Sequence, residues 1–118
     1  MNIENLREYC LNKKGTTESC PFGEHTLVFK VANKMYALTN LVGELTLNLK
    51  CEPEKAIELR EEFSYVLPGY HMNKKHWNTI QLDELVPDKL LMYWIDESYE
   101  LVVGSLTKKQ LEELKKIM

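Results

Sequence analysis

Residues 27 to 50 read LVFKVANKMYALTNLVGELTLNLK, and no other stretch constrains the fold as much. It holds three runs rich in strand-forming residues, LVFKVA (27–32), MYALTN (35–40) and LTLNLK (45–50). Gaps this short can only reverse the chain, because a parallel neighbour needs a crossover of about a dozen residues or more. Asn33-Lys34 fits a two-residue hairpin turn, and Leu41 to Glu44, with Gly43, fits a longer one. In the third run Leu45, Leu47 and Leu49 alternate with Thr46, Asn48 and Lys50, and in the first Phe29 and Val31 flank Lys30. A period of two with one apolar set marks a strand with one buried and one wet face. The three runs are expected to form an antiparallel meander whose apolar face is covered by helices.

The rest of the chain supplies the cover. Asn2 can cap a helix reaching about Lys14, with Ile3, Leu6, Tyr9 and Cys10 on one face and Gly15 at its end. The segment TTESCPFGEHT (16–26), with Pro21 and Gly23, reads as a loop. Pro53 opens a second helix whose stripe is Ala56, Leu59 and Phe63. Trp77 to Leu82 reads as a strand, residues 83 to 86 as a connection, and a short strand also fits Tyr70 to Met72. Pro87 starts a third helix to about Val103, with Leu91, Trp94, Ile95, Ser98 and Val102 aligned, and Gly104 ends it. Thr107 and Gln110 have capping-box spacing, Leu106 can staple onto Leu111, and Leu111, Leu114 and Met118 form the inner face of a final helix. The expected order is α-β-β-β-α-β-α-α. This is a single α+β domain spanning 1–118, an antiparallel sheet with helices on one face.

Several functional classes lose support. Net charge is −3, with 15 Lys and Arg against 18 Asp and Glu, so any polyanion binding needs a local basic patch on an acidic body. No apolar run approaches the ~18–20 residues of a membrane span, and MNIENLREYCLNKKG lacks the apolar centre of a signal peptide. A cytoplasmic location without membrane partners is expected. Cys10, Cys20 and Cys51 are an odd number at unrelated spacings, which argues against a disulfide framework. His71 and His76, five apart, share neither a helix face nor a side of a strand, so no metal is expected. Glycine-rich phosphate loops are absent and no cofactor is expected. Cys20 has no flanking catalytic signature. Asp83-Glu84 and the group Asp96, Glu97 and Glu100 read as loop and helix-surface charges. A non-enzymatic role is therefore expected.

The chemically loaded stretch is PGYHMNKKHWNTI, residues 68 to 80. If Ile80 and Leu82 face the core, Asn78 shares their side, and Trp77, Thr79 and Gln81 point away. Two readings follow for Trp77. Either it stands beside Lys74, Lys75 and His76 as a stacking residue, with cations for phosphates and an aromatic face for a base, or it is covered by the last helices. In the first reading Lys30, Lys34 and Lys50 extend the positive patch. A protein or small-ligand contact surface built from His71, His76 and Trp77 is the competing reading.

Four segments, CPFGEHTLVFKVANKMYAL, LNLKCEPEKAIELRE, PGYHMNKKHWNTIQLD and IDESYELVVGSLTKKQ, together resemble the MmcQ/YjbR family of small bacterial proteins. The resemblance runs from about Met1 to Lys116, and PGYHMNKKHWNT is its most specific part. It implies a CyaY-like α+β fold and a DNA-binding role through a double-wing arrangement. Carried onto this chain, it implies that Lys74 and Lys75 contact phosphates. Asn73 and His76, with His71 in the same motif, would bond to backbone or base edges, and Trp77 would stack or wedge. Asn78 would hold the turn, and Tyr70 and Met72 would pack the loop onto the core. Iron delivery of the CyaY kind does not transfer, since the first helix carries only Glu4 and Glu8 beside Arg7, Lys13 and Lys14.

Overall fold

The computed structural model describes residues 1–70, 72–82 and 86–117. His71, Met118 and residues 83–85, with the predicted Asp83-Glu84 loop, lie outside the described residues. Six strands form one antiparallel sheet: β1 (Thr16–Ser19), β2 (Thr26–Val31), β3 (Lys34–Asn40), β4 (Thr46–Lys50), β5 (Val66–Pro68) and β6 (Trp77–Gln81). Their spatial order is β1-β2-β3-β4-β6-β5. Four helices accompany them among the described residues: α1 (Ile3–Leu11), α2 (Pro53–Glu62), α3 (Asp88–Gly104) and α4 (Lys108–Lys115).

The antiparallel meander forms, but its second face is less wet than the alternation predicts, because Val28, Asn48 and Thr79 are buried there. Leu47 and Leu49 pair with Thr39 and Ala37 on one side and with Ile80 and Asn78 on the other, so these residues share one face. The helices pack there. Leu6 and Cys10 of α1, Leu91, Ile95 and Val102 of α3 and Leu114 of α4 join Phe29, Ala37, Leu47 and Leu49 in one core. A register shift between Phe29 and Lys30 lets both Tyr36 and Ala37 enter it. Ser98 ties α3 to the sheet: its hydroxyl donates to the Tyr36 carbonyl at 2.5 Å and accepts the Lys50 N–H at 2.8 Å. The predicted caps form too. Asn2 accepts the Asn5 N–H at 2.8 Å, and Thr107 and Gln110 complete a reciprocal capping box.

Several details differ from the sequence reading, beginning with α1, which ends at Leu11 and not near Lys14. Thr16–Ser19 is a strand on the β2 edge, where the sequence reads as loop. A short strand forms at Val66–Pro68, its Pro68 tolerated because β5 is an edge, while of the expected strand at Tyr70 to Met72 neither Tyr70 nor Met72 is extended in a strand and His71 lies outside the described residues. The hairpin turn is Ala32-Asn33, one residue earlier than expected. Both residues have positive φ, 50° and 64°, as a tight turn matching the strand twist requires. That shift puts Lys34 opposite Val31, on the helix side, where its ammonium donates to the Ser105 carbonyl at 3.1 Å. Lys34 therefore does not extend a basic patch on the wet face.

Candidate nucleic-acid interface

The described helices pack on one face of the sheet. The other face carries Val28 and Lys30 of β2, Met35 and Leu38 of β3, Asn48 and Lys50 of β4, and Trp77, Thr79 and Gln81 of β6. Among the described residues, no strand residue on this face is a carboxylate. Glu18, the acidic residue of β1, pairs with Phe29 on the helix side and meets Arg7 of α1 in an ion pair. That contact holds its carboxyl below the usual range. The excess acid lies on α2 and α3 instead: Glu54, Glu58, Glu61 and Glu62 outnumber Lys55 and Arg60 on α2, and Asp88, Asp96, Glu97 and Glu100 outnumber Lys89 on α3, whereas α4 sets Lys108, Lys109 and Lys115 against Glu112 and Glu113. A chain of net charge −3 thus has acidic α2 and α3 and a sheet face whose strand charges are Lys30 and Lys50. Fields are local within roughly 8 Å at physiological salt, so this segregation counts for more than the total.

At one end of that face lies the loop between β5 and β6. Gly69, Asn73 and Lys74 hold it in shape. The Gly69 N–H donates to the Trp77 carbonyl at 2.9 Å, and a Cβ on Gly69 would stand 2.9 Å from both the Cβ and the carbonyl oxygen of Trp77. Only glycine permits this approach without a shift. Asn73 makes an Asx-turn, accepting the Lys75 N–H at 2.9 Å, and its carbonyl accepts the Trp77 N–H at 2.9 Å. The Lys74 ammonium donates to the Gly69 carbonyl at 3.2 Å and closes the loop on itself. From below, Arg60 of α2 donates to the Lys74 and Trp77 carbonyls and, through Nε, to Asn78 Oδ1 at 2.6 Å. Asn78 in turn donates to the Ala56 carbonyl at 3.3 Å. Asn78 therefore anchors α2 to β6 rather than holding the turn.

Asn73, Lys74 and Lys75 come together as an exposed, hydrogen-bonded basic loop, and His76 sits half-buried at its base. His71, predicted with them, lies outside the described residues. Trp77 points to the helix-free side, in register with Lys50, as the alternation requires. It is nonetheless only 9% exposed. The indole does not present an open stacking face, because the loop closes back on this residue through Gly69. Neither the last helices nor solvent takes it. Tyr70, expected to pack inward, is 69% exposed.

Sequence reasoning missed the concavity beside this loop. A cleft of about 850 Å³ opens on the helix-free face, lined by Met35, Leu38, Asn48, Thr79, Tyr70 and Phe22 among others. Phe22, from the segment read as a featureless loop, is 68% exposed at its rim. An apolar residue beside Pro21 and Gly23 was the available signal. Glu44, at the β3–β4 turn, is the one carboxylate lining this cleft among the described residues.

Comparison with known proteins adds kinship. A family model described as YjbR matches residues 11–101. An uncharacterized Escherichia coli K12 protein, YjbR, is 34% identical over 111 residues, which cover 93% of this chain and 94% of that protein. An uncharacterized protein of E. coli O157:H7, YbdF, is 36% identical over 96 residues, covering 80% and 79%. Among solved structures, the Deinococcus radiodurans protein DR2400, with the domain DUF419, superposes with a TM-score of 0.91 at 41% identity. The match covers 97% of this chain and 88% of that one.

Proposed function

The chain belongs to the YjbR family, and we propose that it is a DNA-binding module, not an enzyme, acting in the cytoplasm. The contact surface in this reading is the helix-free sheet face together with the loop at 72–76. What supports it is the segregation of charge. Lys30, Lys50, Lys74 and Lys75 lie on or beside a sheet face without strand carboxylates among the described residues, while the excess of acid lies on α2 and α3. Lys74 and Lys75 meet phosphates, and Asn73 and His76 donate hydrogen bonds next to them. His71, carried by the same motif, joins this set. Trp77 acts as the buried keystone of the loop, and the stacking task passes to the exposed Tyr70.

The cleft itself favours a second reading, a protein or small-ligand interaction module. Its volume falls in the range of small-molecule sites, and aromatic residues are common contact anchors. Anisotropy titration of labelled DNA with the wild type and a Lys74→Ala/Lys75→Ala variant separates the two. The DNA reading expects salt-sensitive binding that weakens in the variant. Absence of DNA binding at low salt, with intact fold, favours the second.

A further inference from the structure

The shape of this face specifies which form of DNA it suits. Proteins that read duplex base edges insert a convex element, a helix or a two-stranded ribbon, into a groove. Here the contact face is a hollow. Its floor is neutral, with Leu38 and Met35 beside Asn48 and Thr79, and its lining includes no lysine or arginine among the described residues. Cations stand outside the hollow instead. Lys30 is paired with Met35 at one margin, and Lys74 and Lys75 follow Met72 at another. Two largely exposed rings, Phe22 and Tyr70, line it from separate loops. Cationic margins around a hollow that bears exposed aromatic rings and whose one lining carboxylate among the described residues, Glu44, stands at the β3–β4 turn suit a strand whose bases turn inward to stack while its phosphates follow the margin. A duplex keeps its bases paired and stacked within, and has nothing to place in such a cavity.

We infer that the cleft takes unpaired bases, so that the ligand of this face is single-stranded DNA, with Tyr70 and Phe22 as stacking platforms. The inference deepens the DNA-binding reading and rests on it. Asn48 and Thr79 are already engaged with each other through the Thr79 hydroxyl, and that hydroxyl also accepts the Tyr70 N–H at 2.8 Å. The floor therefore holds the Tyr70 backbone in place and offers little for discriminating base identity. Binding is expected to be tolerant of sequence.

The test compares four labelled probes at about 50 mM salt: an oligo-dT strand of roughly 10 nucleotides, the same strand with abasic sites, a duplex of equal length, and oligo-U. The oligo-dT strand is expected to bind about tenfold or more tighter than both the abasic strand and the duplex. Tyr70→Ala and Phe22→Ala are each expected to remove a similar factor, and Tyr70→Phe to retain binding because it keeps the ring. Both side chains are exposed, so circular dichroism should show these variants folded. Equal binding of the abasic strand, or tighter binding of the duplex, overturns the inference and leaves the DNA-binding reading standing. Tighter binding of oligo-U overturns the assignment to DNA. No binding of any probe overturns both.

Discussion

Arg60 of α2 donates from Nε to Oδ1 of Asn78 on β6 at 2.6 Å, and its terminal nitrogen reaches the Lys74 and Trp77 carbonyls. One guanidinium therefore holds both the start of β6 and the base of the candidate binding loop. Its planar fork suits this multiple engagement in a way an ammonium does not.

Asn78→Ala leaves the Ala56 carbonyl without its side-chain donor and deprives Arg60 of an acceptor. Hydrogen bonds to charged groups are worth roughly 1.5–3 kcal/mol, so a loss of about 2 kcal/mol is expected. Urea unfolding monitored by circular dichroism should show a lower midpoint with an unchanged slope. An unchanged midpoint would mean that this anchor contributes nothing to the fold.

Gly69→Ala places a methyl 2.9 Å from the Cβ and carbonyl of Trp77, against backbone that cannot yield without moving the loop. Overpacking of this kind costs about 1–3 kcal/mol. The loop should lift from Trp77 and expose the indole. A red shift in tryptophan emission reports it, since Trp94, the other tryptophan, stays 5% exposed in the core. An emission spectrum identical to wild type counts against the keystone role of this contact.

The three thiols should separate by reactivity. Cys20 is exposed, Cys51 is partly buried, and Cys10 is fully buried on the inner face of α1, where burial pushes its pKa up to about 12. A thiol reagent at neutral pH should modify Cys20 quickly and Cys10 only on unfolding. The same shift sets a pH dependence. In the folded chain Cys10 keeps its proton to higher pH than in the unfolded chain. The unfolded state therefore binds fewer protons between about pH 9 and 12, and stability falls as pH rises through that window. Tyr9, raised to about 12 by burial and its bond to Asp96, acts in the same direction. A melting temperature that holds level from about pH 9 to 12 would contradict this.

The central sheet was legible because its residues carry their own pattern. Leu47 and Leu49 alternate with polar residues and take the helix side of β4, although Asn48 on the other side is buried as well. The helix ends were legible because Asn2, Pro53 and Thr107 are local devices. The edge strands were not, since Thr16–Ser19 and Val66–Pro68 are extended by their partners, β2 and β6, and not by any period of their own. For the site, alternation gave the side on which Trp77 lies but not its burial. That depends on Gly69, on the preceding edge of the loop, folding back on it. The cleft was illegible because its lining joins Phe22, Tyr70 and Met72, from separate segments, to the helix-free sheet face.

The most direct test of the account is the salt dependence of DNA affinity for wild type against Lys74→Ala/Lys75→Ala, measured by anisotropy with single-stranded DNA between about 50 and 200 mM salt. The account predicts wild-type binding that weakens steeply as salt rises. It also predicts a variant that binds more weakly at low salt and has a shallower slope, by roughly one to two in the logarithmic plot, because two lysine–phosphate pairs no longer form. Wild type and variant sharing one affinity and one slope, or a folded wild type that binds no DNA at the lowest salt, would contradict it.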